Sequence, residues 1–372
     1  VTAPGVLVES TAQMSWAWVG VRVHPARRLA ETRAFADVAE PQRLAQTTAR
    51  ERAWLAGQWT TASQERWELR FRNDPATRLV SCTLLGRVQD PDPRRAEEAA
   101  VRLRDRLAAA PPHVLTEPLP DGREISQELV PGPLDVRGTF EVRKRLSWAP
   151  CSRRDTGRQF CFAVTAPRPP EDRSWEPVWH ELARMPEPTV LSLYLEPYAP
   201  SPALAGELRR LAEEYDVLAR PGAVNPIWTT VAPPADRMAV HAAPLLAEAA
   251  ARYTSGPCFR TRISVASQGP VPYGFADLVA ATTGGGVACP APPTELDAAW
   301  RNLAALNRDW LDHTYRQGAP PGSLREAERI LCDLVDLDEA ALAFRLPYEV
   351  PGHLPLFDTA RRRRRGNTAA ER

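Results

Sequence analysis

The chain has 372 residues, enough at about 100 to 200 residues per domain for one elaborated domain or two or three smaller ones with a buried core. Its 44% hydrophobic and 25% charged content is that of a globular chain and argues against wholesale disorder or a fibrous repeat. The net charge of +1, from 47 basic against 46 acidic residues, argues against a uniformly basic nucleic-acid coat and an acidic solvating tail, so an electrostatic partner must be met by a local patch.

Two compositional biases bear on chemistry. The 38 prolines, about twice the usual share, predict short elements with long, stiff connections. Lys144 is the one lysine beside 46 arginines. That ratio fits GC-rich coding, with selection for guanidinium chemistry as the alternative. A Schiff-base or P-loop lysine could only be Lys144, and its context EVRKRLSW has no glycine loop before it.

In chain order, Val6 and Val8 and then Trp16, Trp18, Val21 and Val23 alternate as half-exposed strands. From about Glu40 to Gln58 the period becomes helical. The stretch RWELRFRNDPATRLVSCTLLGRV predicts a hairpin, with Trp67, Leu69 and Phe71 alternating with charge and Asn73-Asp74-Pro75 as the turn. Arg94 to Ala109 is amphipathic and predicts a helix, followed by a proline-rich linker from Pro111 to Pro133. Thr139 to Ser147 and Arg158 to Val164 predict a second strand pair, then a helix at Trp175 to Arg184 and a strand from Thr189. Helices follow at Ala203 to Leu218 and Arg237 to Tyr253, then the strand CFRTRISVAS and a helix around Tyr273 to Ala281 that ends at Gly284. A strand-then-helix rhythm therefore recurs at about 79 to 109, 189 to 218 and 258 to 281. Beyond Pro290 the better stretches, Leu296 to Leu306 and Leu324 to Leu334, are helical. The last segment, from Phe344, has turn residues and charge without a core period, and is expected to leave the globule.

The expectation is an α+β fold: mixed sheets packed with helices in two pseudo-repeated lobes, 1–133 and 134–290, then a helical part at 291–345 and an extended, disordered basic tail at 346–372. No apolar stretch reaches the roughly 18 to 20 residues of a membrane span, and the first residues lack the basic-then-apolar order of a secretory signal. A cytoplasmic setting with free thiols follows as an expectation.

Candidate sites are few. None of the six cysteines, Cys82, Cys151, Cys161, Cys258, Cys289 and Cys332, forms a CxxC pair, so the metal signal is poor, and Cys161 and Cys258 lie in apolar strands as core residues. The six histidines show neither HExxH nor a pair at helical spacing. Paired carboxylates such as Glu97-Glu98 and Glu213-Glu214 sit beside arginines that can neutralise them. Gly284 to Gly286 follow a helix and lack a GK[ST] ending, which reads as a terminator and loop. Trp67, Trp148 and Trp179 fall in positions typical of core. The one strong electrostatic feature is the run Arg361, Arg362, Arg363, Arg364 and Arg365, which could contact nucleic-acid phosphates, dock an acidic protein patch or solubilise the chain end.

The order of elements, WELRF to LLGRV then helix, PTVLSLYLEP then helix, FRTRISVAS then helix, and a last helix into AFRLPYEVPGHLP, resembles the amino-terminal, non-catalytic region of bacterial HerA/FtsK-like and conjugation-type ATPases over about Trp67 to Pro355. The resemblance implies a region that works beside a DNA-translocating motor. The motor itself needs a glycine loop with a GK[ST] ending, which this sequence lacks. The expectation is a non-enzymatic accessory or assembly subunit of a separately encoded P-loop ATPase, with no cofactor and no metal, with DNA as a second candidate partner and no membrane. The alternative is a stand-alone nucleic-acid-binding protein acting through the arginine run. A third reading, an enzyme without a recognisable motif, has no supporting constellation.

Overall fold

The computed structural model describes residues 3–26, 28–61, 64–154, 156–169, 174–224, 231–254, 256–349 and 355–357. The amino-terminal half contains β1 (Leu7–Ser10), β2 (Ser15–Pro25), α1 (Glu40–Gln58), β3 (Arg66–Asp74), β4 (Leu79–Asp90), α2 (Pro93–Ala108), β5 (Val114–Pro118), α3 (Gly122–Leu129), β6 (Thr139–Arg143), β7 (Arg145–Pro150), β8 (Phe160–Thr165) and α4 (Glu176–Arg184). There follow β9 (Thr189–Tyr198), α5 (Pro202–Leu218), α6 (Arg237–Arg252), β10 (Cys258–Ser267), α7 (Tyr273–Thr282), β11 (Val287–Pro290), α8 (Leu296–Ala304), α9 (Asp312–Arg316), α10 (Glu326–Leu331), β12 (Leu334–Asp336) and α11 (Leu337–Ala343). The fold is α+β. Among the described residues no helix is long and apolar enough to cross a membrane.

The helix starts follow local chemistry. Asp92 and Ser201 accept backbone N–H bonds at the first turns of α2 and α5, each with proline just inside the helix, and Asp336 with Glu339 forms a capping box on α11.

Ten strands form one sheet in the order β1-β2-β4-β3-β9-β10-β6-β11, with β5 added to β2 and β12 to β10, while β7 and β8 pair separately. Every ladder among the described residues is antiparallel, not mixed as expected. Strand β3 pairs with β9 from Trp67 to Arg72, so strands on either side of residue 133 belong to one hydrogen-bonded sheet. The stretch expected as a linker, 111–133, supplies β5 and α3.

Period-two alternation sorts the two faces of this sheet. One face presents Trp67, Leu69 and Phe71 of β3, Leu191, Leu193 and Leu195 of β9, and Phe259, Ile263 and Val265 of β10, and it carries the main core with α2, α4, α7 and α11. Helix α2 sits low on the sheet because Gly86 has no side chain: a Cβ there would come within 2.7 Å of Leu103 Cδ2. Helices α5, α6 and α10 make a second core with Cys161, Ala163 and Leu334.

The expected exit of the chain after Phe344 is corrected by the structure at residues 344–349 and 355–357, while the rest of that expected tail lies outside the described residues. Phe344, Arg345, Leu346, Tyr348 and Phe357 are all buried. Tyr348 and Phe357 pack edge-on against Trp179, with ring centroids 4.9 and 5.1 Å away, and Phe357 bridges to Val80 of β4. Each aromatic residue inserts singly from irregular backbone, which is why no periodicity announces it.

Candidate functional site

The second face of the sheet is charged and buried. The same alternation that points Trp67, Leu69 and Phe71 into the core turns Glu68 and Arg70 the other way, and likewise Arg260, Arg262 and Ser264 on β10 and Glu141 and Arg143 on β6. Glu68 pairs with Arg70 at 2.5 Å and with Arg262 at 2.8 Å. Arg262 donates to Ser264 Oγ at 2.8 Å, Ser264 Oγ donates to Glu141 at 2.7 Å, and Arg143 closes the series on Glu141 at 2.9 Å. The guanidinium of Arg143 lies 3.6 Å from the centre of the Tyr315 ring. Beyond it, Asp333 takes Arg260 at 2.5 Å and Arg308 at 2.9 Å.

A cover built from α3 and the chain between 296 and 333 hides this layer. Its contribution is largely backbone: Arg70 donates to the carbonyls of Leu129 and Leu303, and Arg262 to those of Asn302 and Asn307. Carbonyl dipoles thus complement the cations that the carboxylates leave over, as buried charges require. At the margin, burial and the neighbouring Arg66 cation bring the Arg87 pKa down to about 10. Its acceptors are the Ala305 carbonyl at 2.6 Å and Asn307 Oδ1 at 2.7 Å, and Arg66 donates to the same Asn307 oxygen at 3.2 Å.

Lys144 is buried, with its amine donating to the Tyr253 hydroxyl at 2.6 Å and to the Leu334 carbonyl, and with Glu339 at 3.6 Å. Burial, followed by the charge of Glu339, raises the Tyr253 phenol well above its ordinary range. The cavity beside Lys144, bounded also by Gly284, Gly285 and Gly286, measures about 40 Å³. The amides of Gly285 and Gly286 both return to the Ala280 carbonyl, and Gly284 and Gly285 adopt φ of +115° and +82°, so this glycine run terminates α7.

A third buried group joins distant parts of the chain. His113 Nε2 lies 2.9 Å from Glu51 of α1, and the other oxygen of that carboxylate accepts from Arg345, whose guanidinium also reaches Thr47. Sequence spacing could not reveal this contact, because its members are separated by 62 and 294 residues.

Burial also governs the thiols. Cys161 and Cys258 are fully buried. Burial pushes the Cys82 thiol well up, Cys258 and Cys289 to about 11, and Cys332 to about 12. The structure does bring Cys151, Cys161 and Asp236 together, with one potential ligand atom from each within 4.8 Å of the others. Sequence reasoning missed that group because Asp236 arrives from the start of α6, 75 residues after Cys161.

Trp67 and Trp179 are buried, while Trp148 is half-buried against Phe160. Trp300 is 36% exposed and donates its indole N–H to the Gly132 carbonyl. The arginine run Arg361 to Arg365 lies outside the described residues. Comparison with family models and with curated protein sequences gave no match.

Proposed function

We propose that this chain is a non-enzymatic accessory or assembly region for a DNA-translocating P-loop ATPase whose nucleotide-binding residues lie outside these 372. The observation that carries the reading is the placement of Lys144. A phosphate-binding lysine must be free to reach a triphosphate from beside a glycine loop. The single lysine here is buried between a tyrosine hydroxyl and a main-chain carbonyl, with a glutamate alongside.

The order of strands and helices up to the FRLP segment supports the family side of the proposal. In the structure Arg345 of that segment is buried on Glu51 of α1, so the chain that resembles a lead into a motor is anchored to the sheet-and-helix body. Movement of anything attached beyond it would pull on that body and not on a loose linker. The proposal carries a cytoplasmic setting.

The test is affinity capture of the tagged chain at low salt with identification of bound proteins by mass spectrometry, alongside an ATPase assay of the purified chain. Enrichment of a P-loop ATPase is expected, with no turnover by the chain alone. Absence of any such ATPase, or ATP turnover without a companion, overturns the reading.

A further inference from the structure

The structure places two thiols and a carboxylate where three ligands of one metal ion would stand, and we propose that Cys151, Cys161 and Asp236 bind a divalent transition metal of the zinc class. Cys161 lies within β8, and Cys151 follows β7 directly. Cys161 is opposite Ala149, and the Cys151 amide donates to the Gln159 carbonyl at 2.8 Å, so both sulfurs stand diagonally on the same side of the hairpin. Asp236 reaches them from the first turn of α6. The three ligand atoms lie within 4.8 Å of one another. With metal–sulfur bonds of about 2.3 Å, the sulfurs of a tetrahedral site stand about 3.8 Å apart, so only a small closing movement is needed.

The carboxylate is already held in one orientation. Oδ2 of Asp236 accepts from both the amide and the hydroxyl of Ser152 at 2.7 Å, and Oδ1 accepts from the Ala239 amide at 2.8 Å. Such outer hydrogen bonds are what fix a ligating carboxylate in metal sites. Oδ1, with a single backbone donor, retains lone-pair capacity for a metal, whereas Oδ2 already accepts two hydrogen bonds. Cys161 and Asp236 are buried, whereas Cys151 is half-buried and gives a path from solvent. Two sulfurs and one oxygen match the donor preference of zinc and disfavour magnesium or calcium.

Binding is balanced as follows: the metal(II) ion takes two thiolates and one carboxylate, two thiol protons leave to solvent, and the fourth position is filled by water. No oxidant or reductant is required. The ion would staple the β7–β8 hairpin to the start of α6, fixing the second core independently of the proposed partnership with a motor.

The test uses the full chain, reduced and stripped with a chelator, then titrated anaerobically with Co²⁺ as the probe. The expected result is one Co²⁺ per chain, with thiolate-to-cobalt charge-transfer absorption and the visible bands of a four-coordinate ion, both removed by added Zn²⁺. Cys161→Ser and Cys151→Ser should each abolish or strongly weaken the charge-transfer band. Asp236→Asn keeps one capping oxygen but turns its NH2 toward a donor that the carboxylate accepts from, so its metal-free thermal midpoint should fall modestly and is measured alongside, while Co²⁺ affinity falls at least about tenfold. Absence of a charge-transfer band, a band that survives both serine substitutions, or unchanged affinity in Asp236→Asn overturns the proposal. Recovery of the two cysteines only as a disulfide, with no metal uptake after reduction, also overturns it.

Discussion

Glu68 and Arg262 form a 2.8 Å ion pair with neither side chain exposed, although β9 lies between their strands. The register explains how. Glu68 and Arg262 are both opposite Tyr194, so the three residues form one row across β3, β9 and β10. The Arg262 guanidinium lies 5.3 Å from the centre of the Tyr194 ring, reaching past it to the carboxylate. A single charge pair therefore ties three strands on the face that the 296–333 cover seals from water.

That row makes the Glu68 charge the most consequential in the layer. Glu68→Gln keeps the shape but leaves Arg70 and Arg262 buried without their shared carboxylate. Removing one partner of a buried pair typically costs about 3–5 kcal/mol, and a loss of that size is expected in denaturant unfolding. Glu98→Gln, on an exposed turn of α2, is the control and should change stability by less than about 0.5 kcal/mol. Equal effects from the two substitutions would mean that the charged layer is hydrated.

Arg345 offers a separate test of how the FRLP segment is held. Arg345→Met retains much of the side-chain volume but removes the cation from Glu51, leaving this buried carboxylate with His113 alone. The expected outcome is a loss of about 3–5 kcal/mol, with amide exchange accelerating first at residues 344–349 and in α1. Hydrogen exchange resolved by peptide distinguishes this local release from uniform destabilisation. Unchanged protection across both segments would show that the aromatic contacts hold the segment unaided.

Much of the sheet was legible in the sequence because alternation is local. Trp67, Leu69 and Phe71 identify β3, and Phe259, Ile263 and Val265 identify β10, without reference to any other element. The burial of the intervening charges was not legible. For Arg70 of β3 the cover comes from 59 residues away at Leu129 and from 233 away at Leu303, and its acceptors are main-chain carbonyls, which carry no side-chain signature. The short strands β5, β11 and β12 escaped for a related reason: with three to five residues each, they offer too few alternations to establish a period. Arg345 and Phe357 show the limit most clearly, since charge and isolated aromatics in a proline-rich run read as surface until Glu51 and Trp179 are placed beside them.

Acid should weaken the start of α6 through Asp236. Burial opposes the charge on this carboxylate, but the hydrogen bonds from the Ser152 and Ala239 amides and from the Ser152 hydroxyl outweigh it and hold the pKa below the ordinary value. The unfolded chain consequently binds the proton more readily than the folded one. The stabilisation is complete above the ordinary aspartate pKa of about 3.9 and is lost as pH falls through the lower folded value. In metal-free protein, unfolding free energy should drop along this window, and Asp236→Asn should make the drop shallower by removing one titrating group. Identical pH profiles for the two proteins would show that Asp236 makes no net contribution.

The arginine run can be separated from the folded body by its salt dependence. With a net charge of +1 over the chain, a general electrostatic coat cannot supply strong binding to duplex DNA. If Arg361 to Arg365 contact phosphates, each cation releases condensed counterions, and the slope of log affinity against log salt changes by about 0.9 per contact. Replacing all five with serine should therefore flatten the slope by as much as about 4.5, measured by fluorescence anisotropy with a labelled duplex of arbitrary sequence. Under the proposed function, capture of a P-loop ATPase should persist in this variant where the folded body, and not the run, makes the contact. Loss of the partner with an unchanged DNA slope would reassign the run to an acidic protein surface. Loss of both would make it the common attachment point, since one short cationic segment would then account for each interaction.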